Sequence, residues 1–241
     1  MSDKRSRTLF WDFDGTLARR LWSETFFDVY RAFDPTNTVE AAMFRSYSLR
    51  GFPWHSPETA FAQLATADEW WERLWPVFTG AFSGVGCAPE VAGALAQKVR
   101  AHYLDHTRWT VFDDAADALA EGARRFDRQI IVSNHAPELA ELMAALGLDR
   151  HIHAVVSSAW VGYEKPHPNI FAAALERAGD PSPANVWMVG DNPVADILGA
   201  ETCGIRGVLV RRSDPRVRLQ ANTLHEALEI IARETDNEGG A

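Results

Sequence analysis

The stretch "TLFWDFDGTLARR", residues 8–20, runs an apolar segment straight into two aspartates, Asp12 and Asp14, and then Gly15 and Thr16. The apolar residues are continuous rather than alternating, which predicts a strand covered on both faces of a parallel sheet. A carboxylate where such a strand should finish its burial is costly unless it is solvated, paired or metal-bound. The reading of the whole chain turns on what else converges on that point.

Four more runs share the pattern: "QIIVS" (129–133), "HAVVSS" (153–158), "VWMVG" (186–190) and "GVLV" (207–210). Helical stretches separate them. "PELAELMAALGL" (137–148) carries Pro137 at its start and Gly147 near its end, "PNIFAAALERAG" (168–179) repeats that design, and "PVADILGAETCG" (193–204) stops at Gly204. "TLHEALEIIARE" (223–234) predicts a last helix. Strand alternating with helix implies an α/β fold, a doubly wound parallel sheet with right-handed crossovers.

One interval breaks the alternation. After the first strand the next does not begin until about Arg128, far beyond a normal βα loop of about 2–6 residues. The interval reads as helices: "WSETFFDVYRAF" (22–33), a long one over 57–82, and "PEVAGALAQKVRAHYLDH" (89–106). "RSYSLRGFPWHSP" (45–57) breaks the first two apart, and "DDAADALAEGARRF" (113–126) returns to the sheet. This predicts a core built from residues 1–17 and 110–241, with a helical cap over 18–109. A module inserted at a strand's C-terminal end is well placed to act as a lid or a binding wall.

Ligands of open parallel sheets bind at the C-terminal strand ends. The first strand ends in Asp12, Asp14 and Thr16, and the second in Ser133 and Asn134. Lys165 follows the third, while the fourth ends in Gly190, Asp191 and Asn192, with Asp196 further on. Such a set suits phosphoryl transfer through a carboxylate. Asp12 and Asp191 would share a divalent cation, for which hard oxygens favour Mg²⁺. Asp12 would attack phosphorus, and Asp14 would protonate the leaving oxygen and then take a proton from water. Lys165 and the Ser133 hydroxyl would hold the equatorial oxygens.

"DFDGT" (12–16), "SN" (133–134), "EKPHP" (164–168) and "VGDNPVAD" (189–196) resemble, in order, the four motifs of the haloacid dehalogenase-like (HAD) hydrolase superfamily. The insert after the first motif resembles the C1 cap of phosphoglycolate phosphatase-like members. The resemblance implies a Rossmann-like core with Asp12 as nucleophile and Asp14 as acid/base. It also implies phosphate contacts from Thr16, Ser133 and Lys165, with Asn134 beside the substrate. Magnesium falls to Asp12, Asp191 and Asp14, the last through its backbone carbonyl. Asp196, with Asn192 beside it, stands behind the metal or Lys165. Dehalogenases of this superfamily use no Mg²⁺ and typically lack an acid at the position of Asp14, so Asp14 favours phosphate chemistry.

In C1-capped relatives a cap loop reaches the active site. By that resemblance "SLRGFPWHSP" offers Arg50 to a second anionic group and Trp54 or His55 as a pocket wall, against a packed turn as the alternative. "EWWERLW" (69–75) reads as cap core, "VRRSDPRVR" (210–218) as a solvated basic loop, and Cys87 and Cys203 as buried thiols.

The composition frames this reading. The 241 residues are 46% hydrophobic and 24% charged, with net charge −9. An acidic surface does not attract nucleic acid or anionic lipid, so a phosphate site must supply its own positive charge. No apolar run approaches the roughly 18 residues of a membrane span, and the basic, briefly apolar start is no secretory signal. Two cysteines make no disulfide framework, which suits a reducing cytoplasm. The expectation is therefore a cytoplasmic, Mg²⁺-dependent phosphatase of a small phosphorylated metabolite, monomeric or homodimeric. The rivals are a phosphomutase, a phosphonatase or a dehalogenase on the same scaffold, or a non-catalytic regulatory protein. A phosphonatase needs a cap lysine, and the cap offers only Lys98.

Overall fold

The computed structural model describes residues 7–59 and 66–239. Strand β1 (Thr8–Trp11) is buried along its whole length, as its unbroken apolar run requires. The chain then forms β2 (Ala18–Arg19), α1 (Trp22–Phe33), two short 3-10 segments (Ala41–Leu49 and Pro53–His55), α2 (Ala67–Gly84), α3 (Pro89–Ala96) and α4 (Val99–Leu104). It returns through β3 (Thr110–Val111) and α5 (Ala115–Arg125) to β4 (Arg128–Ser133), then α6 (Leu139–Ala145), β5 (Ala154–Ser157), α7 (Ser158–Val161) and α8 (Pro168–Arg177). Strand β6 (Val186–Gly190), a π-type turn (Pro193–Leu198), α9 (Gly199–Thr202), β7 (Arg206–Val210), β8 (Gln220–Ala221) and α10 (Leu224–Gly239) complete it.

The main sheet has the order β5-β4-β1-β6-β7-β8, and every described pairing in it is parallel. After β5 the chain crosses to the other side of β1, so the strand order reverses between β1 and β6. That is the point where a doubly wound sheet opens a crevice for ligand. The five strands expected from apolar runs are present. The sixth, β8, is only two residues long, too short for its pattern to register.

The sheet is buried by mass and by pairing. Leu9, Phe10 and Trp11 are fully buried, and each large apolar side chain contributes about 1.5–3 kcal/mol by leaving water. Trp11 Nε1 donates to Gln129 Oε1 at 2.9 Å, and Gln129 Nε2 donates to the Leu119 and His151 carbonyls. These bonds satisfy the buried Trp11 indole N–H and the Gln129 side-chain amide.

The long interval is helical, with local reasons for its boundaries. Helix α1 begins at a turn where Glu24 accepts the Leu21 N–H at 3.0 Å, and it stops at Asp34, before Pro35. Helix α2 starts in a reciprocal capping box between Thr66 and Glu69. The helix expected over 57–82 therefore begins later, and part of that expectation falls on residues 60–65, outside the described residues. The single helix expected over 89–106 is two, broken at Gln97 and Lys98. Trp70, Trp71 and Leu74 are buried as cap core, while Trp75 is 38% exposed. Cys87 and Cys203 are free and half-buried, a correction to their reading as buried thiols.

The interval also contains a feature that its sequence does not announce. Strands β2 and β3 pair antiparallel, Ala18 with Val111 and Arg19 with Thr110, so the two ends of the helical insert are stitched together. Buried Arg20 reinforces the stitch. Its guanidinium donates to Thr25 Oγ1 (3.0 Å), the Arg108 carbonyl (2.9 Å) and Asp28 Oδ2 (2.7 Å). On the other side, Trp71 Nε1 and Arg100 both reach Glu138, which precedes α6, and Tyr103 Oη meets His135 Nε2 at 3.1 Å. The insert is thus bonded to the segment that follows Ser133.

Candidate active site

Asp12 follows the last residue of β1, and its N–H donates to the Val189 carbonyl of β6. Asp12 is buried, and its carboxylate receives donors from Lys165, Ser133 and Thr16. Lys165 Nζ lies 2.7 Å and Ser133 Oγ 3.1 Å from Oδ1, and Thr16 Oγ1 lies 3.0 Å from Oδ2. These charge-assisted bonds fix the carboxylate's orientation.

Lys165 is buried and divides its protons among Asp12 Oδ1, Asp196 Oδ1 (2.5 Å) and the Val132 carbonyl (2.7 Å). Burial works to lower its pKa, and Asp12 and Asp196 together more than offset that, so the ammonium is held charged. Asn134 explains how the lysine is placed. Its amide donates to the Lys165 carbonyl (3.0 Å) and its Oδ1 accepts the Lys165 N–H (2.6 Å). Asp196 Oδ2 accepts the Asn192 N–H at 2.8 Å, so both oxygens of that carboxylate are engaged. Asn192 in turn caps the π-type turn through the Val194 and Ala195 N–H groups.

Carboxylate oxygens of Asp12, Asp191 and Asp196 lie within 4.8 Å of one another, and all three residues are buried. Burial first, then repulsion from Asp12, raises Asp191 to about 6, against the pull of Arg212. Burial also lifts Asp196, and Lys165 pulls it back. The backbone approaches Asp191 closely: Gly15 has φ +89°, and a Cβ there would lie 2.6 Å from Asp191 Oδ2. Clustered hard oxygens with too little positive charge among them suit a divalent cation of the magnesium class. Asp14 stands apart from this cluster. Its carboxyl is pushed well above the usual range by burial, then by the charges of Asp12 and Asp191, while the Arg20 N–H works the other way.

A cavity of about 850 Å³ opens over these groups, far larger than a phosphoryl group needs. Asp12, Asp14, Ser133, Asn134, Lys165 and Asp191 line its floor, and Trp22, Trp54 and Tyr103 form part of its wall. Trp54 was expected there, but Arg50 and His55 are not among the lining residues. Arg50 is exposed, and His55 turns back so that its Nδ1 accepts the Phe52 N–H. The packed-turn alternative describes those two. The cationic lining instead includes Arg19, Arg45 and Arg212. Arg19 and Arg45 have no motif to mark them. Arg212 belongs to the loop read as a solvated basic cluster; the loop is largely exposed, as expected, but Arg212 also pairs with Asp191 at 2.8 Å.

A family model for haloacid dehalogenase-like hydrolases matches residues 7–204. The phosphoserine phosphatase of Thermus thermophilus is 37% identical over 137 residues, covering 56% of this chain and 53% of that protein. The chain thus spans about half the length of that relative. Haloacid dehalogenase-like hydrolase domain-containing protein 3 of Mus musculus is 30% identical over 214 residues, 87% of this chain and 83% of that protein. Among solved structures, a magnesium-bound HAD hydrolase from Bacillus subtilis superposes with TM-score 0.74 at 21% identity, covering 95% of this chain and all of that one. At that identity the likeness speaks for the fold alone. With the family match running from β1 through α9, this chain belongs to the haloacid dehalogenase-like hydrolases.

Proposed function

We propose that the protein is a magnesium-dependent phosphatase of small phosphorylated metabolites, working through a phosphoryl group carried on Asp12. The observation that carries this reading is the Asp12 carboxylate itself. It is buried, oriented by Lys165, Ser133 and Thr16, and set beside Asp191 at the switch point of the sheet.

Asp12 and Asp191, with the Asp14 backbone carbonyl, would hold magnesium, which supplies neutralisation of the acids and polarisation of a phosphoryl oxygen. A carboxylate oxygen of Asp12 forms a bond to phosphorus as the ester P–O bond breaks. The Asp14 carboxyl gives its proton to the departing oxygen, and its raised pKa suits a group that must be protonated at that moment. Water then attacks the same phosphorus and yields its proton to the Asp14 carboxylate. The Asp12–phosphorus bond breaks, and inorganic phosphate leaves. Lys165, Ser133 and Thr16, together with Asn134 beside them, would bind the phosphoryl oxygens and stabilise the negative charge that develops there. Asp196 is assigned to holding Lys165, whose ammonium donates to one of its oxygens while the other accepts the Asn192 N–H.

In this proposal residues 1–17 and 110–241 form the catalytic core, and residues 18–109 form a C1-type cap that selects the leaving group. The β2–β3 stitch at the ends of the insert supports the division. The related phosphoserine phosphatase supports a phosphomonoester substrate over a haloacid, and so does the acid at position 14.

The test is hydrolysis of p-nitrophenyl phosphate by the full chain, with Mg²⁺ and with EDTA. Turnover that requires the metal supports the reading. An inert protein across several divalent metals and a panel of phosphomonoesters contradicts it.

A further inference from the structure

The loop after β7 is anchored so that one arginine bears on the acidic site. Arg211 adopts φ +63°, a backbone conformation disfavoured for a residue with a side chain. Three contacts hold it there. Its Nε donates to the Thr16 carbonyl at 3.0 Å, its Nη2 donates to Asp114 Oδ1 at 2.5 Å, and its guanidinium lies 3.8 Å from the centre of the Phe112 ring. The loop is closed further on by Gln220, which accepts the Asp214 N–H and donates to the Asp214 and Val217 carbonyls. The next side chain, Arg212, therefore reaches back over the site, with Nη2 2.8 Å from Asp191 Oδ2.

The pair is lopsided. The Asp191 side chain is 9% exposed and that of Arg212 is 62% exposed. The other cation close to the acids, Lys165, bonds Asp12, Asp196 and the Val132 carbonyl rather than Asp191. A buried carboxylate without a counter-charge is expensive. Arg212 supplies that charge to Asp191. A divalent cation on the same carboxylate would do so more strongly, and it would repel the guanidinium paired with that carboxylate.

We propose that Arg212 is the resident counter-ion of the magnesium site. It pairs with Asp191 while the metal is away and yields Asp191 as the metal binds, so it sets the metal's affinity and keeps the empty site from destabilising the fold. The inference rests on the reading of Asp191 as a magnesium ligand. Arg212 is solvent-facing and can withdraw into water at little cost, whereas Lys165 cannot.

The experiment is calorimetric titration of Mg²⁺ into the metal-stripped full chain, with thermal melts at zero and saturating Mg²⁺. The proteins are wild type, Arg212→Gln and Arg216→Gln. Arg216 lies in the same loop and pairs with Asp214, so its variant makes the same change in net charge without touching the site. The Arg212 variant should bind Mg²⁺ about fivefold more tightly. It should melt below wild type without metal and level with it at saturation, while the Arg216 variant follows wild type. An unchanged or weaker dissociation constant for Arg212→Gln, or an equal shift in Arg216→Gln, overturns the proposal and leaves the metal reading standing. If wild type and Arg212→Gln both bind no Mg²⁺, the metal reading fails and the proposal fails with it.

Discussion

At the scale of single residues, the site depends on how near the backbone comes to a carboxylate. Gly15 turns with positive φ immediately beside Asp191, in a space that no side chain can share. Gly15→Ala forces either the turn or Asp191 to move. A displacement of about 1 Å at a reacting centre costs on the order of 10²-fold in rate. Steady-state kinetics on p-nitrophenyl phosphate should show that loss in kcat/KM, while circular dichroism shows the fold intact; wild-type kinetics would mean the close approach is unimportant. Asp12 and Asp191 stood out at strand ends as charges where burial should finish, whereas Thr16, Ser133 and Lys165 were drawn in by their place at strand ends and by the resemblance of the motifs around them. Arg212 was not legible, since nothing in "VRRSDPRVR" distinguishes a solvated arginine from one folded back onto Asp191. Arg50 was misplaced for the reverse reason. The loop that carries it is a packed turn, and the arginines lining the cavity are Arg19, Arg20, Arg45 and Arg212.

At the scale of elements, continuous apolar runs revealed the long strands, and capping residues bounded most helices within a few positions. Two-residue strands escaped, because a ladder such as β2–β3 is set by partners ninety residues apart rather than by local pattern. Arg20 fastens that ladder to α1 from inside the structure. Arg20→Met keeps the side chain's bulk and strands Asp28, Thr25 and the Arg108 carbonyl. Removing one partner of a buried ion pair costs about 3–5 kcal/mol, and Asp28 keeps some compensation from Arg108. Urea denaturation should therefore show a loss of about 3 kcal/mol. A loss below about 0.5 kcal/mol, typical of an ordinary surface change, would deny the stitch its structural role.

At the scale of the whole molecule, a chain of net charge −9 gathers arginines around one acidic cavity, the local positive charge that its overall charge demanded of any phosphate site. No helix among the described residues is long and apolar enough to cross a membrane. Two buried titratable groups couple the fold to pH in opposite directions. His135, buried against Tyr103 and Phe13, is lowered to about 4 by burial, with the Ala136 carbonyl and Asp12 opposing. The unfolded chain binds that proton more readily, so stability falls as pH drops from about 6.5 towards 4. Glu164, whose Oε2 has no partner, is raised to about 7 by burial, against Ser158 and Lys165. Its neutral form is the native one, so its contribution is complete below about 4.5 and is lost as pH rises towards 7. Glu164→Gln removes that loss. Its stability relative to wild type should climb by about 3 kcal/mol between pH 4.5 and 7 in urea melts, and a flat difference would refute the burial argument.

The most direct measurement concerns the bond that Asp12 is proposed to form. Acid-quenching the enzyme during turnover of p-nitrophenyl phosphate with Mg²⁺, followed by peptide mass mapping, should find a phosphoryl group on Asp12. Asp12→Asn should show neither adduct nor turnover. Steady hydrolysis by Asp12→Asn, or a phosphoryl group trapped on any other residue, would contradict the account.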